Sequence, residues 1–224
     1  MNKTEEKTEK PLCSNQVAVY GRIVEQLEAD ESMYGAGFQC VLLLVEGRGG
    51  RVDYLPVLLS DRLADPEQDH RGAEMEVFGE FRSYHYYLNG RRHMQMMVFA
   101  REMQLFIDDH AYSRNQIYLD GYVCKEPYYR RTPNGKEITE VLLAVNRSYG
   151  RSDYIPCICW GRTARYADRL SVGTQVRLWG RIQSREYLKK EPGEGTRRCM
   201  TYEVSVARLE DVKEPSIAFL PDLR

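Results

Sequence analysis

The side chains with the most chemical potential here are cations set beside aromatic rings. From residue 128 onward they run Tyr128, Tyr129, Arg130, Arg131; then Arg147, Tyr149, Arg151, Tyr154; then Trp160, Arg162; then Arg185, Tyr187, Lys189, Lys190. Cations can follow a line of phosphates while aromatic faces stack on unpaired bases, and neither contact requires a particular base sequence. Each residue has a plainer reading beside this one. Aromatics are ordinary strand residues that fill cores or form cross-strand pairs. Arg181 and Arg185 can form a solvated charge ladder, and Lys136, which follows Asn134-Gly135, can be a turn residue. Catalytic chemistry has little support. His70, His85, His93 and His110 form no HxH or HExxH spacing. Gly47-Arg48-Gly49-Gly50 lacks the Lys-Ser/Thr of a phosphate loop and reads as a hairpin turn, and Cys157 and Cys159 have no His neighbour and read as core thiols. The expectation is a non-enzyme with no metal and no cofactor.

The chain has 224 residues, of which 42% are hydrophobic and 29% charged, enough to bury a core in one large domain or two small ones. Runs such as Val41 to Val45 are far short of a membrane span, and the opening MNKTEEKTEKPL is no secretory signal. A soluble, cytoplasmic and nucleoid-associated protein without a membrane partner is expected. Six cysteines without a CxxC pair read as reduced thiols. The sequence also repeats itself. Asn15-Gln16-Val17 returns as Asn115-Gln116-Ile117, Val41 to Val45 as Val141 to Val145, and Asp53-Tyr54-Leu55-Pro56 as Asp153-Tyr154-Ile155-Pro156, at an offset of 100. The offset is 101 at Gly72/Gly173, Gly79/Gly180 and Ser83/Ser184, and 106 at Met94/Met200. This divides the chain into a flexible segment 1–14, a first domain 15–106, a linker 107–114, a second domain 115–212 and a tail 213–224.

Within each copy the pattern is mostly strand. Val176, Leu178 and Ile182 alternate with Arg177, Trp179 and Arg181. Met75 and Val77 play the inward part in the first copy, and Thr132-Pro133-Asn134-Gly135 is a turn. Ala164, Ala167 and Leu170 predict a short helix over Thr163 to Leu170, whereas its counterpart, Asp61 to Gly72, is broken by Pro66. About five strands, with a helix or loop between the third and fourth, predict an all-β protein of two tandem OB-fold, five-stranded Greek-key barrels. A β-sandwich is the alternative. Tyr154 and Trp160 lie six apart and share a strand face, while Ile155, Cys157 and Cys159 point into the barrel. Outward aromatics serve base stacking or a barrel–barrel interface, and the flanking cations favour stacking.

The second copy resembles the bacterial single-stranded DNA-binding protein family. The residues that carry the resemblance are Asn115 to Gly121, Tyr129 to Lys136, Leu143 to Arg147, Asp153 to Arg162 and Gly180 to Tyr187. The first copy matches more weakly: it has no TPNG turn, and Ser60 stands where Trp160 stands. The resemblance implies an OB barrel that wraps single-stranded DNA, four barrels per assembly, and stacking aromatics at Tyr149, Tyr154, Trp160 and Tyr187. Two barrels per chain then imply a homodimer. The family's acidic C-terminal tip, which recruits replication and repair enzymes, has no match here: after residue 212 the only acids are Glu214 and Asp222. Charge separates the copies. Residues 15–106 hold nine Lys plus Arg against fourteen Asp plus Glu, a net of −5, and residues 115–212 hold seventeen against twelve, a net of +5. Sequence-independent binding of single-stranded DNA in replication, recombination or repair is therefore expected mainly of the second copy. Arg130, Arg131, Lys136, Arg147, Arg151, Arg162, Arg181 and Arg185 would lie along the phosphates, with a minor site at Tyr54 and Tyr86 of the first copy. The rivals are a non-catalytic assembly module that binds protein and an RNA-preferring OB protein.

Overall fold

A computed structural model describes residues 14–27, 29–47, 49–88, 90–106, 114–147, 150–191 and 195–212. Five strands form the first unit: β1 (Asn15–Leu27), β2 (Phe38–Glu46), β3 (Val52–Ser60), β4 (Glu74–Leu88) and β5 (Arg91–Phe106), with the four-residue helix α1 (Glu31–Tyr34) between β1 and β2. The second unit holds β6 (Arg114–Val123), β7 (Tyr128–Arg131), β8 (Glu137–Asn146), β9 (Ser152–Trp160), helix α2 (Gly161–Ala167), β10 (Gln175–Glu191) and β11 (Gly195–Asp211). In the first unit β1 pairs β2, β2 pairs β3, β3 pairs β5 in parallel, β5 pairs β4 and β4 returns to β1. The ring is closed, and β6, β8, β9, β11 and β10 close a second ring by the same scheme. These are two OB-type Greek-key barrels, as the alternation predicts. Two elements had no sequence signal: α1, and β7, which adds to the edge of β8. The helix predicted from Thr163 begins at Gly161, whose φ of 54° turns the chain out of β9. Its predicted inward residues Ala164, Ala167 and Leu170 are all buried. The first copy has turns instead of a helix over 61–72.

Closing so small a ring forces neighbouring backbones together. A Cβ built on Gly21 would lie 2.4 Å from the carbonyl oxygen of Leu44, and one on Gly121 2.5 Å from that of Ala144. On Gly79 and Gly180 it would meet the carbonyls of Phe99 and Ser205 at 2.1 and 2.3 Å. The latter two glycines sit at β-bulges that bend β4 and β10. Glycine at both members of each pair is thus a steric condition of barrel closure. Inside, Val19, Leu43, Leu55, Met75 and Val77 fill the first barrel, and Leu119, Leu143, Ile155, Cys157 and Leu178 fill the second, all fully buried.

The barrels are joined edge to edge. Residues 15–20 of β1 pair antiparallel with residues 114–119 of β6, Val17 facing Ile117. Because these two residues are equivalents at offset 100, a local two-fold axis runs between them. β1 must therefore serve two neighbours at its start, and Asn15 solves this. Its backbone pairs with Leu119, while its carboxamide accepts from the Phe81 N–H at 2.9 Å and donates to the Phe81 carbonyl at 2.8 Å. Asn115 does the same with Ile182 at 2.9 and 2.8 Å. The side-chain amide stands in for a missing peptide, which is why Asn opens both copies. No helix among the described residues is long and apolar enough to cross a membrane.

Candidate nucleic-acid interface

Residues opposite one another in a sheet point to the same side, so strand register decides which candidates meet. Arg130 on β7 faces Ile138 on β8, which faces Trp160 on β9. The next row is Tyr128, Glu140 and Ile158. Ile158 in turn pairs Ser205 on β11, and Ser205 pairs Arg181 on β10. One outward face of the second barrel thus carries Tyr128, Arg130, Trp160, Arg181, Arg185 and Tyr187, with Tyr154 at its far end. Trp160, Tyr154 and Tyr187 are 37%, 41% and 40% exposed, while Ile155, Cys157 and Cys159 are fully buried, as the six-residue spacing requires. Trp160 is held edge-on: its Nε1–H donates to Ser205 Oγ at 3.2 Å. Burial pushes the Cys159 thiol up to about 12 and raises that of Cys157 well above its ordinary value, so both are neutral core thiols.

The cations divide into two groups. Arg131 is 70% exposed, and Arg151, Arg162 and Lys136 are exposed as well. Lys136 closes the 132–136 turn, its N–H donating to Thr132 Oγ1 at 3.1 Å. Arg130 pairs with Glu140 at 2.8 Å, and Arg185 lies 3.7 Å from Glu203. Arg185 is exposed and Arg130 half-buried at the rim of the face. Arg147 and Arg181 are engaged elsewhere. Arg147 grips the fully buried Asp153 and donates to the Ser83 carbonyl of the first barrel at 3.1 Å. Arg181 donates to Asp53 of the first barrel at 2.9 Å, and burial together with the neighbouring Arg51 charge lowers its pKa. Tyr149 lies outside the described residues, as do residues 1–13, residues 107–113 of the linker 107–114 and the tail 213–224; Arg114, the linker's last residue, opens β6.

Those two arginines belong to a clamp between the barrels. Asp153 accepts from the N–H and the hydroxyl of Ser83, at 2.5 and 3.1 Å, and the Tyr154 N–H donates to Ser83 Oγ at 3.1 Å. Across the local two-fold, Asp53 accepts from the Ser184 N–H at 2.9 Å, and the Tyr54 N–H donates to Ser184 Oγ at 3.0 Å. The repeated Asp-Tyr pair and the repeated serine are therefore reciprocal docking points. Sequence reasoning found the repeat but not its use; the only signal was that Asp53/Asp153 and Ser83/Ser184 recur together. Tyr54 is 39% exposed, matching Tyr154. Tyr86 is partly buried and stacks on His93, with ring centroids 5.3 Å apart and planes inclined at 23°. Its hairpin partner β5 touches β11 of the second barrel. Among the described residues no group of three or more His, Cys, Asp or Glu could hold a metal ion.

Comparison with known proteins agrees with this layout. The single-strand binding protein family matches residues 114–211. "Single-stranded DNA-binding protein B" of Bacillus subtilis is 38% identical over 84 residues, covering 34% of this chain and 74% of that protein. "Single-stranded DNA-binding protein 1" of Staphylococcus aureus is 36% identical over 84 residues, covering 34% of this chain; the chain spans about half the length (50%) of that relative. Two crystal structures of the single-stranded DNA binding protein from Thermus aquaticus share the fold. A deletion mutant gives a TM-score of 0.68 at 21% identity over 93% of this chain and 98% of that one, and the wild type gives 0.66 at 20% over 89% and 93%. Because this chain covers 74% of a relative to which it is 38% identical, and the family's match spans the second barrel, the chain belongs to the single-strand binding protein family.

Proposed function

We propose that the protein binds single-stranded DNA without reading its sequence and protects it during replication, recombination or repair, with no chemical step. One observation carries this reading: in the basic second barrel, Arg130, Trp160, Arg185 and Tyr187 share one outward face, and the rings are exposed rather than packed. Arg131, Arg151, Arg162 and Lys136 supply charge at its margins, while Arg147 and Arg181 act mainly by fixing the barrels to each other. The first barrel contributes a minor site. Two chains assemble to give four barrels. Titration of labelled oligo-dT, duplex DNA and RNA at two salt concentrations tests the reading. Single-strand affinity should exceed duplex affinity and fall with log salt at a slope of roughly −0.7 per phosphate contact. Tight binding insensitive to salt, or no preference over duplex, overturns it. A clear preference for RNA would replace DNA by RNA as the ligand.

A further inference from the structure

The first barrel has a cleft of about 540 Å³ between α1 and the β4–β5 hairpin. Its floor is Met97, fully buried, and its walls are Tyr34 and Tyr86, with Gln95, Tyr87 and Asp30 at the rim. Both wall rings are braced. Tyr34 meets Tyr84 edge-on at 4.9 Å and 81°, and Tyr86 lies on His93. In the second barrel β7, not a helix, occupies the stretch between the first two ring strands.

We propose that this cleft takes one unstacked nucleobase of a single strand, leaving its phosphodiester outside. The inference rests on the single-strand reading above and specifies what the minor site of the acidic barrel would hold. Three observations decide the class of ligand. The floor is apolar and the walls are aromatic, which suits a flat ring. Asp30 at the rim and Glu31 in α1 oppose a phosphate, so the uncharged part of the nucleotide is what the cleft can bury. The Gln95 carboxamide offers a donor and an acceptor to a base edge and therefore favours no single base strongly. The backbone also has somewhere to go. Arg82 and Arg101 both pair with Glu80 at 2.8 Å, and beyond them residues 83–100 hold Arg91 and Arg92 and no Asp or Glu, an acid-free tip in a barrel of net charge −5. β5 of the first barrel touches β11 of the second. A strand leaving the β10–β11 arm thus reaches the arm whose Gln95 and Met97 line the cleft.

The full chain is titrated with labelled oligo-dT of increasing length. Tyr86→Ala should leave short oligomers, held by the second barrel, unaffected and weaken long ones about 5- to 150-fold, the loss of one base–aromatic stack. An abasic residue walked along the long oligomer should cost wild type a similar factor at one position and cost Tyr86→Ala nothing further there. Should Tyr86→Ala fail to fold, Gln95→Glu, which places a charge in the cleft at a partly exposed position, should weaken long oligomers alone. Long oligomers bound like wild type by the folded variant, or additive losses at every abasic position, overturn the cleft. If Trp160→Ala still weakens binding in that case, the single-strand reading survives. If wild type binds no oligo-dT at all, both fall together.

Discussion

At the scale of single residues, the structure separates side chains that are exposed to a ligand from those engaged in holding the molecule together. Trp160 is in the first group. Its ring is 37% exposed and its polar atom has one hydrogen bond, to Ser205. Trp160→Ala should weaken oligo-dT binding by about 1–3 kcal/mol yet cost less stability than truncation of a core tryptophan, because more than a third of the residue is exposed. A core tryptophan would instead cost about 3–5 kcal/mol of stability. Urea midpoints and binding isotherms on the same variant distinguish the two. Tyr54→Ala and Tyr154→Ala form the internal comparison: both rings are outward, and the clamp uses their backbone N–H groups, so neither truncation should loosen the barrels. If the second barrel is the main site, Tyr154→Ala weakens binding more than Tyr54→Ala. Equal, wild-type affinity for all three variants would remove the stacking face.

At the scale of elements, what could be read from the sequence was what local alternation encodes. Val176, Leu178 and Ile182 declared an inward face, Thr132 to Gly135 declared a turn, and Ala164, Ala167 and Leu170 declared the buried side of α2; each is found so. The unread parts depend on distant partners. Arg147 and Arg181 look like any surface arginine in sequence, and the acceptors that engage them across the barrels are 64 and 128 residues away. α1 follows a stretch without helical periodicity, and β7 is only four residues long. Asn115 and Gly180 are where element geometry can be tested. Gly180→Ala drives a Cβ onto the Ser205 carbonyl in the bulge of β10 and should cost about 1–3 kcal/mol. Asn115→Ala removes both partners of the Ile182 peptide and should cost a similar 1–3 kcal/mol. Unchanged urea midpoints would show that barrel closure tolerates what its geometry forbids.

At the scale of the whole molecule, the local two-fold makes one chain behave as an internal dimer. Asp53 and Asp153 are each buried, each bound to a serine of the other barrel and each faced by an arginine. Removing one carboxylate strands its partners, so Asp53→Ala and Asp153→Ala should each cost about 3–5 kcal/mol, and the double variant should unfold in two steps where wild type unfolds in one. A single cooperative transition in the double variant would leave the β1–β6 ladder alone as the coupling. That ladder has a further consequence. It makes β4, β1, β6 and β10 one continuous sheet, whose outward side presents Phe78, Ala18, Gln116, Tyr118 and Trp179 on cross-strand register. Phe78 and Trp179 are equivalents at offset 101, so the local two-fold passes through this face, and Phe78 is 38% exposed. Pairing of this face with the same face of a second chain is an isologous contact, which closes at two chains. Sedimentation should therefore show about 52 kDa, twice the 26.1 kDa chain. The double substitution Phe78→Glu and Trp179→Glu sets like charges against each other there and should return the protein to 26.1 kDa. A wild-type monomer at micromolar concentration refutes the four-barrel assembly. A charged variant that folds and still sediments at twice the chain mass moves the interface to another face.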